Sequence, residues 1–197
     1  MGWIRSTVAR INNFQVRTLS GLTSKKLLPY IDDGESVLDI GCGLGYQARD
    51  IQRKKQVTVT GIDVVDYTDS DFECKLFDGA HIPFPNQSFD VSYLAYVLHH
   101  AEKPIKLLSD ALRVTKKRVI ILEDTPRNDF DRLLDAYHGW SFNKFYHLKH
   151  KSVFRTRKQW ETIFKEFRVN SIKTIPLGRF EREPYFPISR TLFVLEK

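Results

Sequence analysis

The sequence predicts a doubly wound α/β fold: a seven-stranded sheet, mostly parallel, with an antiparallel last strand. Three observations carry this. Short branched apolar runs alternate with helix-spaced segments about five times, the pattern of strand–helix–strand units in a parallel sheet. The run Arg118-Val119-Ile120-Ile121-Leu122-Glu123-Asp124 is apolar without alternation, as suits a strand covered on both faces. Two closing strands, residues 169–175 and 191–195, follow one another with no helix between them and so must run antiparallel.

The elements follow in order. Trp3, Ile4, Val8, Ile11, Phe14, Leu19 and Leu22 form a near-helical stripe, with Arg5, Arg10 and Arg17 off it. A second short helix is expected over 24–31, then a turn at Asp32-Asp33-Gly34. The first strand is 36–40, and a helix from about 46 to 54 follows the glycines. Residues 57–63 alternate and are β-branched, a second strand. A weak third strand spans 74–77, and Pro83 and Pro85 mark a loop. The fourth strand, 88–95, is expected to run on through Val97-Leu98-His99-His100. Pro104 opens a helix with Ile105, Leu108 and Leu112 on one face, and the fifth strand is 118–124. Phe130, Leu133, Leu134 and Tyr137 have helical spacing, and an amphipathic helix covers 156–167. Residues 178–187, with two prolines and four charges, read as a loop.

One domain over 1–197 is expected, with a helical arm over 1–30 and a helical lid over 126–155. Cys42 and Cys74 fall inside apparent core elements without metal-ligand spacing, so a reducing cytoplasm fits better than a disulfide framework. No apolar run reaches the roughly 18 residues of a membrane span, and the N-terminus lacks a signal-peptide core. The net charge of +7 is unevenly spread. Residues 1–30 carry five basic and no acidic side chains, 31–125 carry 11 and 16, and 126–197 carry 15 and 8. Two basic arms flank an acidic centre, which suits an acidic substrate, nucleic acid or an anionic surface as well as a simply solvated basic surface.

The chemistry is concentrated in Val37-Leu38-Asp39-Ile40-Gly41-Cys42-Gly43-Leu44-Gly45-Tyr46, a strand, a glycine loop and a helix start. Glycines let the backbone take positive φ and lie against a ligand, and the helix start offers N–H groups to an anion. Asp63 ends the second strand 18 positions after Gly45, where an acid accepts hydrogen bonds from ribose hydroxyls. A dinucleotide fingerprint needs glycine at the sixth place of G-x-G-x-x-G, but Tyr46 stands there.

The Asp-x-Gly-x-Gly-x-Gly run resembles the first motif of the class I S-adenosylmethionine-dependent methyltransferases. Asp78-Gly79-Ala80, Ile82-Pro83-Phe84-Pro85 and Ser88-Phe89-Asp90 are similar to that family's third-strand acid and following loop. Val97-Leu98-His99-His100 resembles the Leu-His-His signature of its ubiquinone/menaquinone-biosynthesis branch, and Arg113-Val114 also matches. The likeness covers roughly 24–125; where many relatives carry a Lys-Pro-Gly-Gly turn, this chain has Thr115-Lys116-Lys117-Arg118. The resemblance implies a Rossmann-like methyltransferase fold and S-adenosyl-L-methionine as methyl donor. It implies that Gly41, Gly43 and Gly45, with Cys42 between them, lie under the methionine and ribose. It further implies that Asp39 holds the loop and the amino group, that Asp63, followed by Val64, takes the ribose, and that Asp78 meets the adenine with Gly79 and Ala80 alongside. Leu94 and His99 then border the sulfonium.

Methyl transfer from a sulfonium needs alignment more than a fixed catalytic group, and a base only where the acceptor must lose a proton. The acceptor pocket is expected from the basic arm and the segment after the fifth strand, with Tyr137, His138, Trp140, Phe142, Phe145, Tyr146, His147 and His150. Most of these are expected to pack on the domain; His138 and Tyr146 are the candidates if a base exists. The histidine spacings specify no metal site, and none is expected. A small or lipid-like acceptor is expected, a small molecule with acidic or aromatic character among the options, and peripheral membrane contact is compatible with it. RNA or protein methylation through the basic arms is the alternative, disfavoured because Leu94-Ala95-Tyr96-Val97 stands in place of an Asn-Pro-Pro-Tyr-type motif. A non-catalytic cofactor-binding module is the third reading.

Overall fold

The computed structural model describes residues 19–65, 72–146, 151–177 and 188–197. Seven strands form one sheet in the order β3-β2-β1-β4-β5-β7-β6. They are β1 Ser36–Ile40, β2 Thr58–Asp63, β3 Cys74–Leu76, β4 Phe89–Ala95, β5 Thr115–Asp124, β6 Ser171–Leu177 and β7 Arg190–Glu196. Strands β1 to β5 pair in parallel, and β7 runs antiparallel to both β5 and β6. The doubly wound, mostly parallel sheet with an antiparallel last strand is thus the fold.

The helices are α1 (residues 19–27, continuing into a 3-10 turn at Leu28–Tyr30), α2 Tyr46–Lys54, α3 Pro104–Val114, α4 Asp129–Tyr146 and α5 Arg157–Phe164. Side chains alternate across each strand, so the sheet feeds two cores. Leu38 and Ile40 of β1, Val119 and Ile121 of β5, and Phe193 and Leu195 of β7 pack with α3 and α5, meeting Leu108, Leu112, Trp160 and Phe164. Val37, Ile120, Leu122, Leu192 and Val194 pack in the other core, with Leu27 of α1 and Ala48 and Ile51 of α2. Helix α5 begins in a capping box in which Thr156 and Gln159 satisfy each other's backbone N–H.

Four expectations are corrected. Residues 19–27 form one helix rather than two, because Ser24 Oγ bonds back to the Ser20 carbonyl inside it instead of capping a new helix. The stripe before residue 19 lies outside the described residues, as does the loop over 178–187. Strand β4 stops at Ala95 instead of reaching His100: Tyr96 takes φ +64°, and the chain turns away from the sheet. Strand β5 begins at Thr115 rather than 118, directly after α3: Thr115 pairs with Phe89 while its hydroxyl bonds the Ala111 carbonyl.

The fourth correction concerns α4. Of its stripe, Phe130, Leu133 and Tyr137 are largely exposed, as is Trp140 (54–67%), while Leu134 is half-buried. The face turned inward is polar, with Asp131 and Asp135 buried and His138 half-buried. No helix among the described residues is long and apolar enough to cross a membrane.

Candidate functional site

From β1 the chain moves outward through β2 and β3, then returns to the other flank of β1 as β4. The loops leaving the carboxyl ends of β1 and β4 therefore diverge, opening the crevice in which such sheets bind ligands.

The glycine loop lies across this crevice. Gly41, Gly43 and Gly45 all have left-handed φ, of +77°, +50° and +69°. At Gly41 a Cβ would stand 2.4 Å from Cγ2 of Val97, so the loop closes on the turn after β4 only because glycine is there. At Gly43 nothing lies within 4 Å of the Cβ position, and the backbone is open to an approaching group. The N–H groups of Gly41 and Cys42 both donate to the Ile62 carbonyl, pinning the loop to β2. Cys42 turns its thiol inward, 3.3 Å from that of Cys74, and so offers the crevice backbone only. Gly45 is the N-cap of α2 with no side-chain cap, which leaves first-turn N–H groups for an outside acceptor.

Asp39 lies between Gly61 and Tyr93 in the register of β1. It is buried, and its Oδ2 makes no hydrogen bond. Burial pushes its carboxyl up to about 8, against the pull of the adjacent Tyr93 hydroxyl and with a smaller push from the Asp63 charge. Unfolding returns it toward 3.8, so folding takes up a proton between pH 3.8 and about 8. Stability is therefore lost as pH rises through that window, at up to about 1.4 kcal/mol per pH unit. Asp39→Asn is expected to flatten this dependence. Urea unfolding at pH 5 and pH 8 should show a smaller drop in the variant; equal drops would mean that Asp39 titrates like an exposed carboxylate.

Asp63 closes β2 and ties the loop down. Its Oδ2 accepts the Gly43 N–H at 2.8 Å, and its Oδ1 accepts those of Val64 and Val65 at 2.7 and 3.2 Å. Burial raises its pKa, and these three bonds pull it back. Asp78 is exposed, and its Oδ1 accepts the N–H groups of Ala80 and His81, which lowers its pKa. Val64, half exposed, stands beside Gly79, whose added Cβ would meet it at 3.0 Å. The loop, Asp39, Asp63 and Val64 with Gly79 are thus brought together along β1, β2 and the residues after them. Leu94 stands apart: its side chain is wholly buried in the core.

His99 is buried, and so is its partner Glu123 at the end of β5. Glu123 Oε1 accepts the N–H groups of Val97 and Leu98 at 3.1 and 2.7 Å, while Oε2 meets His99 Nδ1 at 2.5 Å. Burial alone would lower the His99 pKa, but the Glu123 charge and hydrogen bond outweigh it and raise it. The ring stacks on Phe154, with centroids 4.6 Å apart, and lies 4.0 Å from His100 and 5.9 Å from His138. Asp135, one turn before His138, is buried with neither oxygen hydrogen-bonded. Burial, reinforced by the Asp124 charge, pushes its carboxyl up to about 8. Glu123, Asp135 and Phe154 were not singled out by sequence; the only signal was that an apolar strand closes on acids. The side chain of Tyr146, and His147 and His150, lie outside the described residues.

Comparison with known proteins agrees with this geometry. A family model described as a methyltransferase domain matches residues 13–168. The chain is 31% identical over 94 residues to a tRNA U34 carboxymethyltransferase of Nautilia profundicola, covering 42% of this chain and 31% of that protein. It is 33% identical over 101 residues to a demethylmenaquinone methyltransferase of Tropheryma whipplei, covering 46% and 42%. It thus spans about a third to two fifths of these two curated relatives. In fold it is similar to an S-adenosylmethionine-dependent methyltransferase from Archaeoglobus fulgidus, with a TM-score of 0.72 at 15% identity over 92% of this chain and 94% of that one. With the family model covering most of the chain, this protein belongs to the class I S-adenosylmethionine-dependent methyltransferase family.

Proposed function

We propose that the chain methylates a small, lipid-like acceptor held between the carboxyl ends of β4 and β5 and the inner face of α4. The observation that carries this is the orientation of α4. A helix with polar groups inward and Phe130, Leu133, Tyr137 and Trp140 outward has its apolar face available to a lipid surface or lipid chain. Its inner face supplies Asp135 and His138, beside His99, to a polar head. In this reading residues 126–155 act as the lid, and the 33% identical demethylmenaquinone methyltransferase is a relative with a quinone-type acceptor.

The residues present fit the donor. Bound S-adenosylmethionine supplies an electrophilic methyl group. The unpaired, buried Oδ2 of Asp39 suits an ammonium, and the uncapped start of α2 suits a carboxylate. Gly43 leaves open backbone beneath a ribose, Asp63 stands at the loop to accept its hydroxyls, and Val64 with Asp78, Gly79 and Ala80 offers an apolar ledge and an acid for the adenine. Holding the acceptor in line with the methyl is worth on the order of 7–11 kcal/mol, so the pocket's main task is alignment. In this reading His138 takes a proton where the acceptor has one to lose, and Tyr146, in the last turn of α4, is the second candidate.

A methyl-release screen across quinols, phenols, fatty acids, amines and RNA tests this. Turnover is expected with a quinol or phenol carrying an apolar tail, presented on vesicles. Replacing both Tyr137 and Trp140 by serine should lower that turnover about tenfold or more while leaving S-adenosylhomocysteine binding unchanged. Turnover on RNA alone, weakening steeply with salt, would replace this reading with a nucleic-acid one.

A further inference from the structure

We propose that His99, His100 and His138 form a binding site for one divalent transition-metal ion of the zinc class. The fold brings together a pair after β4 and a third residue 38 positions later on α4, a constellation that sequence spacing does not reveal. One ligand nitrogen from each residue lies within 4.8 Å of the other two. Three atoms no farther apart than that lie within about 2.8 Å of a common centre, against roughly 2.0–2.1 Å for a zinc–imidazole bond. Each ring needs to move inward by less than about 1 Å.

Two further features point to a ligand. The Nε2 of His99 is buried and has no hydrogen-bond partner. Its Nδ1 is engaged by Glu123, so Nε2 is the nitrogen left to bind, and carboxylate–histidine–metal is the usual second-sphere arrangement. Ser152 Oγ orients the His100 ring in the same way, at 2.9 Å from Nδ1. Asp135, one turn before His138, adds a buried carboxyl with both oxygens unpartnered. An unpaired buried imidazole nitrogen is costly, and a cation held by it and the two neighbouring rings removes that cost. Nitrogen ligands favour zinc-class ions over calcium or magnesium.

Three protein ligands leave an open position, the arrangement of a site that takes water or a substrate oxygen rather than one that braces a fold. In that use the inference rests on the acceptor reading above, with His138 serving as a ligand in place of a base: the open position would take an oxygen of the acceptor's polar head.

The test uses the tag-free full chain, with Co2+ as the spectroscopic probe for zinc. One equivalent should produce visible d–d absorption, displaced by Zn2+. His100→Asn and His138→Asn, both at half-buried positions, should each weaken Co2+ binding at least about tenfold, and Glu123→Gln about 10- to 100-fold. Binding of S-adenosylhomocysteine, measured on each variant, reports that the fold is intact. In the unmutated chain Co2+ should also shift the ring protons of three of the six histidines and spare His81. No Co2+ signal, or ring shifts that miss these three, overturns the metal site; intact S-adenosylhomocysteine binding in that case leaves the methyltransferase reading standing. The three rings would then be an aromatic cluster with Phe154 and nothing more.

Discussion

Asp63→Ala is expected to abolish the thermal stabilisation that S-adenosylhomocysteine gives the wild-type chain. The carboxylate accepts three backbone N–H groups, one of them from Gly43 in the middle of the glycine loop. Removing it strips the loop of its tie to β2 and leaves those donors without partners, at about 1–3 kcal/mol of stability. The larger effect is on binding, because the same group is proposed to receive the ribose hydroxyls. At a ligand concentration one hundred times the dissociation constant, the wild type gains about 2.7 kcal/mol from binding. A variant that binds a hundredfold more weakly gains about 0.4 kcal/mol under the same conditions, within the noise of a melting curve. Asp63→Asn separates the two roles in part: its one amide oxygen can still accept on one side, while its NH2 faces the donor or donors on the other, so stability should be restored only partly while affinity is not. A full-sized ligand shift in Asp63→Ala would remove Asp63 from the binding site.

How much of this was legible in the sequence depended on how local the information was. Asp39, the glycines and Asp63 sit on one strand–loop–helix unit and the next strand end, so their spacing in the chain is nearly their spacing in space. The parallel pairing of the first five strands followed from the same alternation, while their order in the sheet did not. What the sequence hid falls into two kinds. Periodicity shows that α4 has an apolar stripe but not which side its partner lies on, and Phe130, Leu133, Tyr137 and Trp140 turned out to face away from the sheet. The polar cluster is non-local: Glu123 ends one strand, His99 follows another, and Asp135 and His138 come from a helix between them and the closing strands. His99 and His138 are singled out separately, but nothing in the spacing shows that they meet each other, Glu123 and Asp135 in one cluster. Tyr96 belongs to the same group, since a tyrosine gives no warning that it will take a positive φ and end its strand early.

Glu123→Ala is the second substitution expected to have a large effect, and it links the cluster to the glycine loop. Glu123 is fully buried and holds the N–H groups of Val97 and Leu98 with one oxygen and the His99 ring with the other. Val97 is the residue whose methyl group occupies the space a side chain at Gly41 would need. The carboxylate at the end of β5 therefore fixes the turn after β4, and that turn backs the glycine loop. Alanine would leave two buried backbone donors and a buried imidazole unpaired, at a cost of about 3–5 kcal/mol, a large fraction of a domain's stability. Val97 would lose its anchor, and S-adenosylhomocysteine affinity should fall although Glu123 is not among the residues proposed to touch the ligand. Glu123→Gln keeps an oxygen for Val97 and Leu98 and should recover most of the stability. Its amide cannot take the place of the carboxylate charge at His99, so metal binding should remain weakened. Urea unfolding and calorimetry on the two variants distinguish these effects. If Glu123→Ala unfolds at the wild-type urea concentration, the hydrogen bonds to Val97 and Leu98 do not hold the turn, and the tie between the fifth strand and the glycine loop is wrong.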